Sequence, residues 1–326
     1  MASQTSDVKQ DSRGRDANWP SQIPFKGWRD IFWRLVNEIV EDRVMLIAAG
    51  SAFYLLLALF PAMAAFVSLY GIFSDPATVA SQIQFLDGLV PAGGLQIVND
   101  QLLSLAMQPR DALSFGFLFS LGIALWSANN GIKTLFEALN VAYEEREKRS
   151  FIKLHLVTFA VTLGAIVIGI LILAAIGLVP AVLAFLPLGS LIEALIRLLR
   201  WPLLLVFVWC GIAVLYRYGP SRARARWRWI TWGGLFATLA WCVTSVGFSY
   251  YLENFANYNA VYGSLGAVVG FMMWAWLSVT IILVGAEINA EIEHQTRRDS
   301  TTGPDKPMGE RGAHVADTVG KTADDL

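Results

Sequence analysis

Charge is scarce in this sequence. Only 16% of its 326 residues are Asp, Glu, Lys or Arg, against about a quarter in a soluble globular chain. A large soluble helical domain would have to bury several nearly charge-free runs of about 20 residues, which soluble cores seldom contain. The formal net charge is -1, so no global field draws nucleic acid. There are three histidines, His155, His294 and His314, far apart in sequence. There is no HExxH pattern, close cysteine pair, Walker loop or Gly-rich dinucleotide fingerprint. Asp and Glu are sparse inside the apolar runs, and lone serines there, Ser51 and Ser127, read as packing residues. The sequence therefore offers no catalytic group, metal site or cofactor site, and the chain is not read as an enzyme. The two cysteines, Cys210 and Cys242, also fall in apolar runs and read as packing residues. No secretory leader is evident: the first 43 residues are polar or amphipathic, and no convincing cleavage site follows the first apolar run.

Apolar sequence is what the chain has in abundance. Hydrophobic residues make up 55% of it, and the mean hydropathy is +0.50. A helix rises 1.5 Å per residue and hydrocarbon is roughly 30 Å thick, so about 20 apolar residues suffice to cross. The runs predict an all-α polytopic membrane protein of six spans, at about 44–72, 117–135, 156–178, 201–216, 231–251 and 265–286. Residues 1–24 and 296–326 are polar and are expected to be disordered tails around a membrane domain at 25–295. Phe25, Trp28, Ile31, Phe32, Leu35 and Ile39 recur at three- and four-residue steps among Lys26, Arg29, Asp30 and Arg34. This predicts an amphipathic helix, either lying along the membrane interface or docked on the inner ends of the spans. One or two short amphipathic helices are expected to cap the outer face between 73 and 111. Val179 to Leu188 is too short to recross the membrane and reads as an interfacial or re-entrant piece. An alternative start for span 4, near Ile192, would let Glu193 and Arg197 pair at i and i+4.

Twenty-two of the 25 Lys and Arg residues fall in the N-terminal region, the 2–3 and 4–5 connections and the C-terminal tail; the exceptions are Arg110, Arg197 and Arg200. The positive-inside rule then places both termini of the six-span chain in the cytoplasm. The basic, aromatic 4–5 loop, with Arg222, Arg224, Arg226 and Arg228, reads as a grip on anionic lipid headgroups and not on nucleic acid.

Polar groups at membrane depth or at span ends are the functional candidates. They are Tyr54, Asn129, Asn130, Tyr262, Glu287 and Asn289, which could line a polar path or touch a substrate. The asparagines could equally form hydrogen bonds between helices. Glu287 has two readings as well. It could face a water-filled vestibule and bind a cation or proton, or it could end its helix paired with Arg217 or Arg149. Gly266 and Gly270 form a GxxxG step through which two copies could associate.

The last span carries the most specific pattern: Tyr262-Gly263-Ser264-Leu265-Gly266-Ala267, then Gly285-Ala286-Glu287-Ile288-Asn289-Ala290-Glu291. With Ala48 to Pro61, Leu125 to Asn140 and its charged loop, and Leu215-Tyr216-Arg217-Tyr218, it resembles the YihY/virulence factor BrkB family of bacterial inner-membrane proteins. The resemblance covers roughly 25–295 and implies six spans. It also brings a historical ribonuclease BN label, for which this sequence supplies no chemistry, and a suggestion of transport among relatives. Three functional classes follow. The first is transport of a small solute, lipid or ion; the second is a non-transporting envelope protein with a structural or interaction role; the third is a membrane nuclease or other enzyme. The first is preferred and the third is set aside for want of a catalytic constellation.

Overall fold

The structure, a computed structural model, describes residues 12–73, 110–185, 190–254 and 265–325. The described part is helical: α1 (Phe25–Glu41), α2 (Val44–Phe73), α3 (Arg110–Ala142), α4 (Phe151–Phe185), α5 (Ser190–Tyr218), α6 (Trp227–Asn254), α7 (Gly266–His294) and a short α8 (His314–Asp317). Six of these, α2 to α7, are long and apolar enough to cross a membrane. Their number matches the six expected spans, and the protein is a multi-pass membrane protein. The outer faces of these helices expose Phe53, Phe60, Phe119, Trp126, Ile170, Phe207 and Val243. A surface of that kind is solvated by lipid, because every backbone group is already paired within its helix.

Two boundaries differ from expectation. Helix α4 runs on through Pro180 to Phe185, so Val179–Phe185 prolongs span 3 and is not a separate re-entrant piece. Helix α5 starts at Ser190 and passes through Pro202, while its part apolar enough to cross a membrane is Trp201–Tyr218. The expected caps between 73 and 111 fall almost wholly outside the described residues, as do the side chains of Glu193 and Arg197.

Small residues set the packing. Gly50 lies opposite Thr134, and a Cβ placed on Gly131 would sit 3.5 Å from that of Tyr54. Helices α2 and α3 therefore run antiparallel in a close seam with Ala48, Ala52, Ala124 and Ala138 buried. Helix α7 is the central element and touches α1, α2, α3, α6 and α8. Trp241 donates to Ser278 at 3.0 Å and Trp274 to Ser245 at 3.1 Å, tying α6 to α7. Trp276 donates to the Met45 carbonyl at 2.9 Å, tying α7 to α2.

Residues 12–24 and 295–325 are not the disordered tails that their composition suggested. They fold onto one end of the bundle, hereafter the polar end. Thr296 donates to the Ala17 carbonyl at 2.7 Å, and the Gly320 N–H donates to the His294 carbonyl at 2.9 Å. Ala225 and Thr301 form an isolated antiparallel bridge. Val315 of α8 is 1% exposed and packs into the core formed by Val44, Ala142, Tyr143, Ala286 and Ala290. A segment this polar cannot build a core alone. It gains order by adding a few apolar side chains and many charge pairs to a surface that the spans already present.

Helix α1 satisfies part of each of its two readings. Its Gly27, Asp30, Ile31 and Arg34 face inward and are buried. Phe25, Phe32, Trp33 and Val40 stay exposed on the opposite side, where a membrane interface would accommodate them.

Candidate functional site

Helix α7 extends about two turns beyond the end of the apolar run, carrying Glu287, Asn289, Glu291 and Glu293 into the polar end. All four side chains are at most 3% exposed. Why such a polar turn is buried follows from its neighbours. Gly285 passes Gly233 of α6 so closely that a Cβ on Gly233 would strike the Gly285 carbonyl and the Asn289 side chain. Asn289 then clamps the start of α6. Its Oδ1 accepts from the Gly233 N–H at 2.7 Å, and its Nδ2 donates to the Ile230 carbonyl at 3.2 Å. Asn289 is thereby committed to holding two helices together.

The three acids differ in what faces them. Glu291 pairs with Arg34 of α1, which also donates to Gln295 Oε1 at 3.0 Å and to the Lys321 carbonyl at 2.7 Å. Glu293 pairs with Arg222 and accepts from Ser300 Oγ at 2.5 Å. No cation pairs with Glu287 among the described residues. It lies instead within hydrogen-bonding reach of another carboxyl, that of Asp42 at the α1–α2 corner. Its Oε1 is buried without a hydrogen-bond partner. Neither basic residue expected from the sequence reaches it. Arg149 is held by Glu147 at 2.7 Å and by the Gly219 carbonyl, and Arg217 donates to the Ala225 carbonyl at 2.9 Å.

The surroundings are acidic throughout. Burial, with Glu291 and Asp42 nearby, pushes Glu38 up to about 7. Burial, with Glu144 and Glu41 nearby, pushes Asp42 up to about 6. Both are half-buried, so both still meet water at the polar end. The backbone is strained here too. The two described non-glycine residues with left-handed φ are Arg43 at 50° and Glu144 at 51°, one beside Asp42 and the other at the end of α3. Tyr143 Oη lies in the same region, buried and without a hydrogen-bond partner. The sequence marked Glu287 but not Glu38, Asp42 or Tyr143. They belong to the approach to span 1 and the exit of span 2, and only folding sets them beside α7.

A second polar station lies deeper. Ser51 Oγ and Asn129 Oδ1 are buried without partners in α2 and α3. Tyr54 and Asn130 are half-buried on the same two helices, with Tyr54 facing Gly131. Tyr54 sits ten residues along α2 from Val44, about 15 Å at helical rise. The structure thus groups Tyr54 with Asn129 and Asn130, and Glu287 with Asp42, at two separate depths. Tyr262 falls outside the described residues.

The basic loop is put to a different use from the one its composition suggested. Arg222 is buried in its pair with Glu293. Arg226 is spent on Asp305 at 2.5 Å and on the Thr301 carbonyl, and Arg228 lies 5.0 Å from the Trp19 ring centroid. Of the four arginines assigned to headgroups, Arg224 is the exposed one. Among the described residues no group of three or more His, Cys, Asp or Glu is placed to hold a metal ion.

The family model described as virulence factor BrkB matches residues 35–309, so the match runs past α7 into the docked tail. A Bacillus subtilis protein named for its likeness to ribonuclease, YfkH, is 32% identical over 251 residues, covering 74% of this chain and 88% of that protein. A UPF0761 membrane protein of Alteromonas mediterranea is 27% identical over 286 residues, covering 83% of this chain and 93% of its own length. One from Paraburkholderia xenovorans is 28% identical over 254 residues, covering 76% of this chain and 56% of its own length. No solved structure matches the chain. With most of its length matched by the family model and by these relatives, the chain belongs to the virulence factor BrkB family, the YihY or UPF0761 group of bacterial membrane proteins.

Proposed function

We propose that this protein moves a small solute or ion across the membrane, with Glu287 as the ionisable group of the path. The observation that carries this reading is Glu287 itself: a carboxyl 2% exposed, on a spanning helix, facing a second carboxyl and, among the described residues, no paired cation. Its two acidic neighbours on α7 are each neutralised by an arginine, through Arg34 and Arg222. A purely structural helix end would be served as well by glutamine or by an apolar residue, since an uncompensated buried charge is costly. Ionisable groups kept at such positions mark solute, ion or proton pathways. The unpartnered Ser51 Oγ and Asn129 Oδ1 in the α2–α3 seam add polar atoms along the same helix set. The distribution of Lys and Arg supports an orientation with the polar end, and so both termini, in the cytoplasm. Exposed Arg224, with Trp227 beside it, suits contact with anionic headgroups there.

Vesicle flux tests the reading. Purified protein is reconstituted into liposomes holding a trapped pH dye, and into others loaded for radiotracer Na⁺ or Rb⁺ exchange. Wild-type vesicles should exchange at least one of these ions faster than Glu287→Gln vesicles and faster than empty ones. Equal rates in all three, across these ions and a panel of labelled amino acids and sugars, would leave a non-transporting envelope role as the better account.

A further inference from the structure

We infer that Asp42 and Glu287 form a proton-binding pair, one proton held between two carboxyl groups, that loads from water at the polar end. Two ionised carboxylates are acceptors only, so a contact at hydrogen-bonding reach between them requires a proton. Like charges brought together in a low-dielectric site cannot both persist, and one of the pair takes up a proton. No cation pairs with either carboxyl among the described residues. Arg34, which faces the neighbouring Glu291, is occupied by it, by Gln295 and by the Lys321 carbonyl. The other groups facing the pair are acidic or neutral. They are Glu38 and Glu41 of α1, Glu291 of α7, and Glu144 and Tyr143 at the end of α3, with His314 of the tail held on Glu144 at 3.1 Å.

The arrangement fits a proton better than a metal cation. Hard cations such as Ca²⁺ need about six to eight oxygen ligands, and no group of three or more potential ligand side chains converges here among the described residues. Burial is graded along the pair. Asp42 is half-buried and reaches water, whereas Glu287 is 2% exposed. Glu287 Oε1 is left as a buried acceptor with no partner, which is the atom a proton would next occupy. The step balances simply: one proton passes from water to Asp42 and into the shared site, and the net charge of the pair goes from −2 to −1. Its use as a coupling ion rests on the transport reading; the binding of the proton does not.

Infrared difference spectroscopy on the full-length protein in detergent, scanned over pH, tests the pair directly. Wild type should show a protonated carboxylic C=O stretch at about neutral pH, where an ordinary Asp or Glu is ionised. Glu287→Gln should remove that band and Asp42→Asn should move it, while Na⁺, K⁺ or Mg²⁺ added at fixed pH should leave it in place. A band identical in wild type and both variants would overturn the proposal. So would a wild-type band erased by one of those cations, which would assign the site to a metal ion. Should Glu287→Gln fail to fold, Glu287→Asp must shift the band, and no shift in it or in Asp42→Asn is again a refutation. The outcome is separable from flux. Ion exchange in vesicles without this band leaves transport standing and removes the pair, and the band without exchange does the reverse.

Discussion

Replacing Arg222 with alanine should destabilise the protein far more than replacing Arg224, two residues further on. The Arg222 side chain is 3% exposed and pairs through both terminal nitrogens with Glu293, which is 0% exposed. Its guanidinium also lies 5.1 Å from the Tyr143 ring centroid. Truncation leaves the Glu293 carboxylate buried, with Ser300 Oγ at 2.5 Å as its remaining side-chain partner. Stranding one member of a buried pair costs about 3–5 kcal/mol. Arg224 is exposed, and its contact is with the Tyr218 ring at 4.9 Å, which is worth about 0.5–1 kcal/mol. Thermal unfolding in detergent, followed by tryptophan fluorescence, reads the difference. At roughly 2 °C per kcal/mol for a chain of this size, Arg222→Ala should lower the midpoint by roughly 6–10 °C and Arg224→Ala by no more than about 2 °C. The double variant Arg222→Met/Glu293→Leu should recover most of the loss, because neither charge is then left buried. Equal small shifts for the two single variants, with equal loss of binding to anionic vesicles, would refute the reasoning and return Arg222 to the headgroup role that its sequence context suggested.

Three other outcomes follow from the packing and the charges. Gly233→Ala should cost about 1–3 kcal/mol through overpacking against the Gly285 carbonyl and Asn289, whereas Gly247→Ala, with nothing within 4 Å of the new Cβ, should be neutral or slightly stabilising; paired melts would show it. Asp42 and Glu38 are raised to about 6 and about 7, so they bind protons more tightly folded than unfolded. Their contribution is fully present below the unfolded values and is lost as pH rises through about 4 to about 7. A pH series of melting midpoints should therefore fall less over that window in Asp42→Asn/Glu38→Gln than in wild type. Glu147 works in the opposite sense: against the upward push of burial, Arg149 and Asn140 hold it at about 2, down from 4.5, so its share is fully present above about 4.5 and is lost as pH falls from there through about 2. Val315→Asp should release the tail, since Val315 is 1% exposed in the shared core. Trypsin should then cut after Arg297, Arg298 or Arg311 well before it does in wild type, and an unchanged digest would count against the docking.

Much of the membrane architecture was legible in the residue order. Apolar length and the scarcity of charge define spans one-dimensionally, because a helix satisfies its own backbone and needs only enough hydrocarbon-compatible length. That is why α2 to α7 match the six expected spans. It is also why Glu287 stood out as the first charge after an uncharged run. The errors share a cause as well. Val179 to Leu188 reads as a separate piece because it is too short to recross the membrane, whereas the helix simply continues through Pro180 to Phe185. The tails were read as disordered because their composition cannot build a core, whereas they dock on one already made. What the sequence by itself determined is the number of spans, their helical nature and the uneven placement of basic residues. Only the tertiary structure decided which acid keeps a cation. Arg34 meets Glu291 across 257 residues and Arg222 meets Glu293 across 71, and those two pairings leave Glu287 facing Asp42. Coulombic partnership depends on distance and burial in the folded state, and neither is set by spacing along the chain.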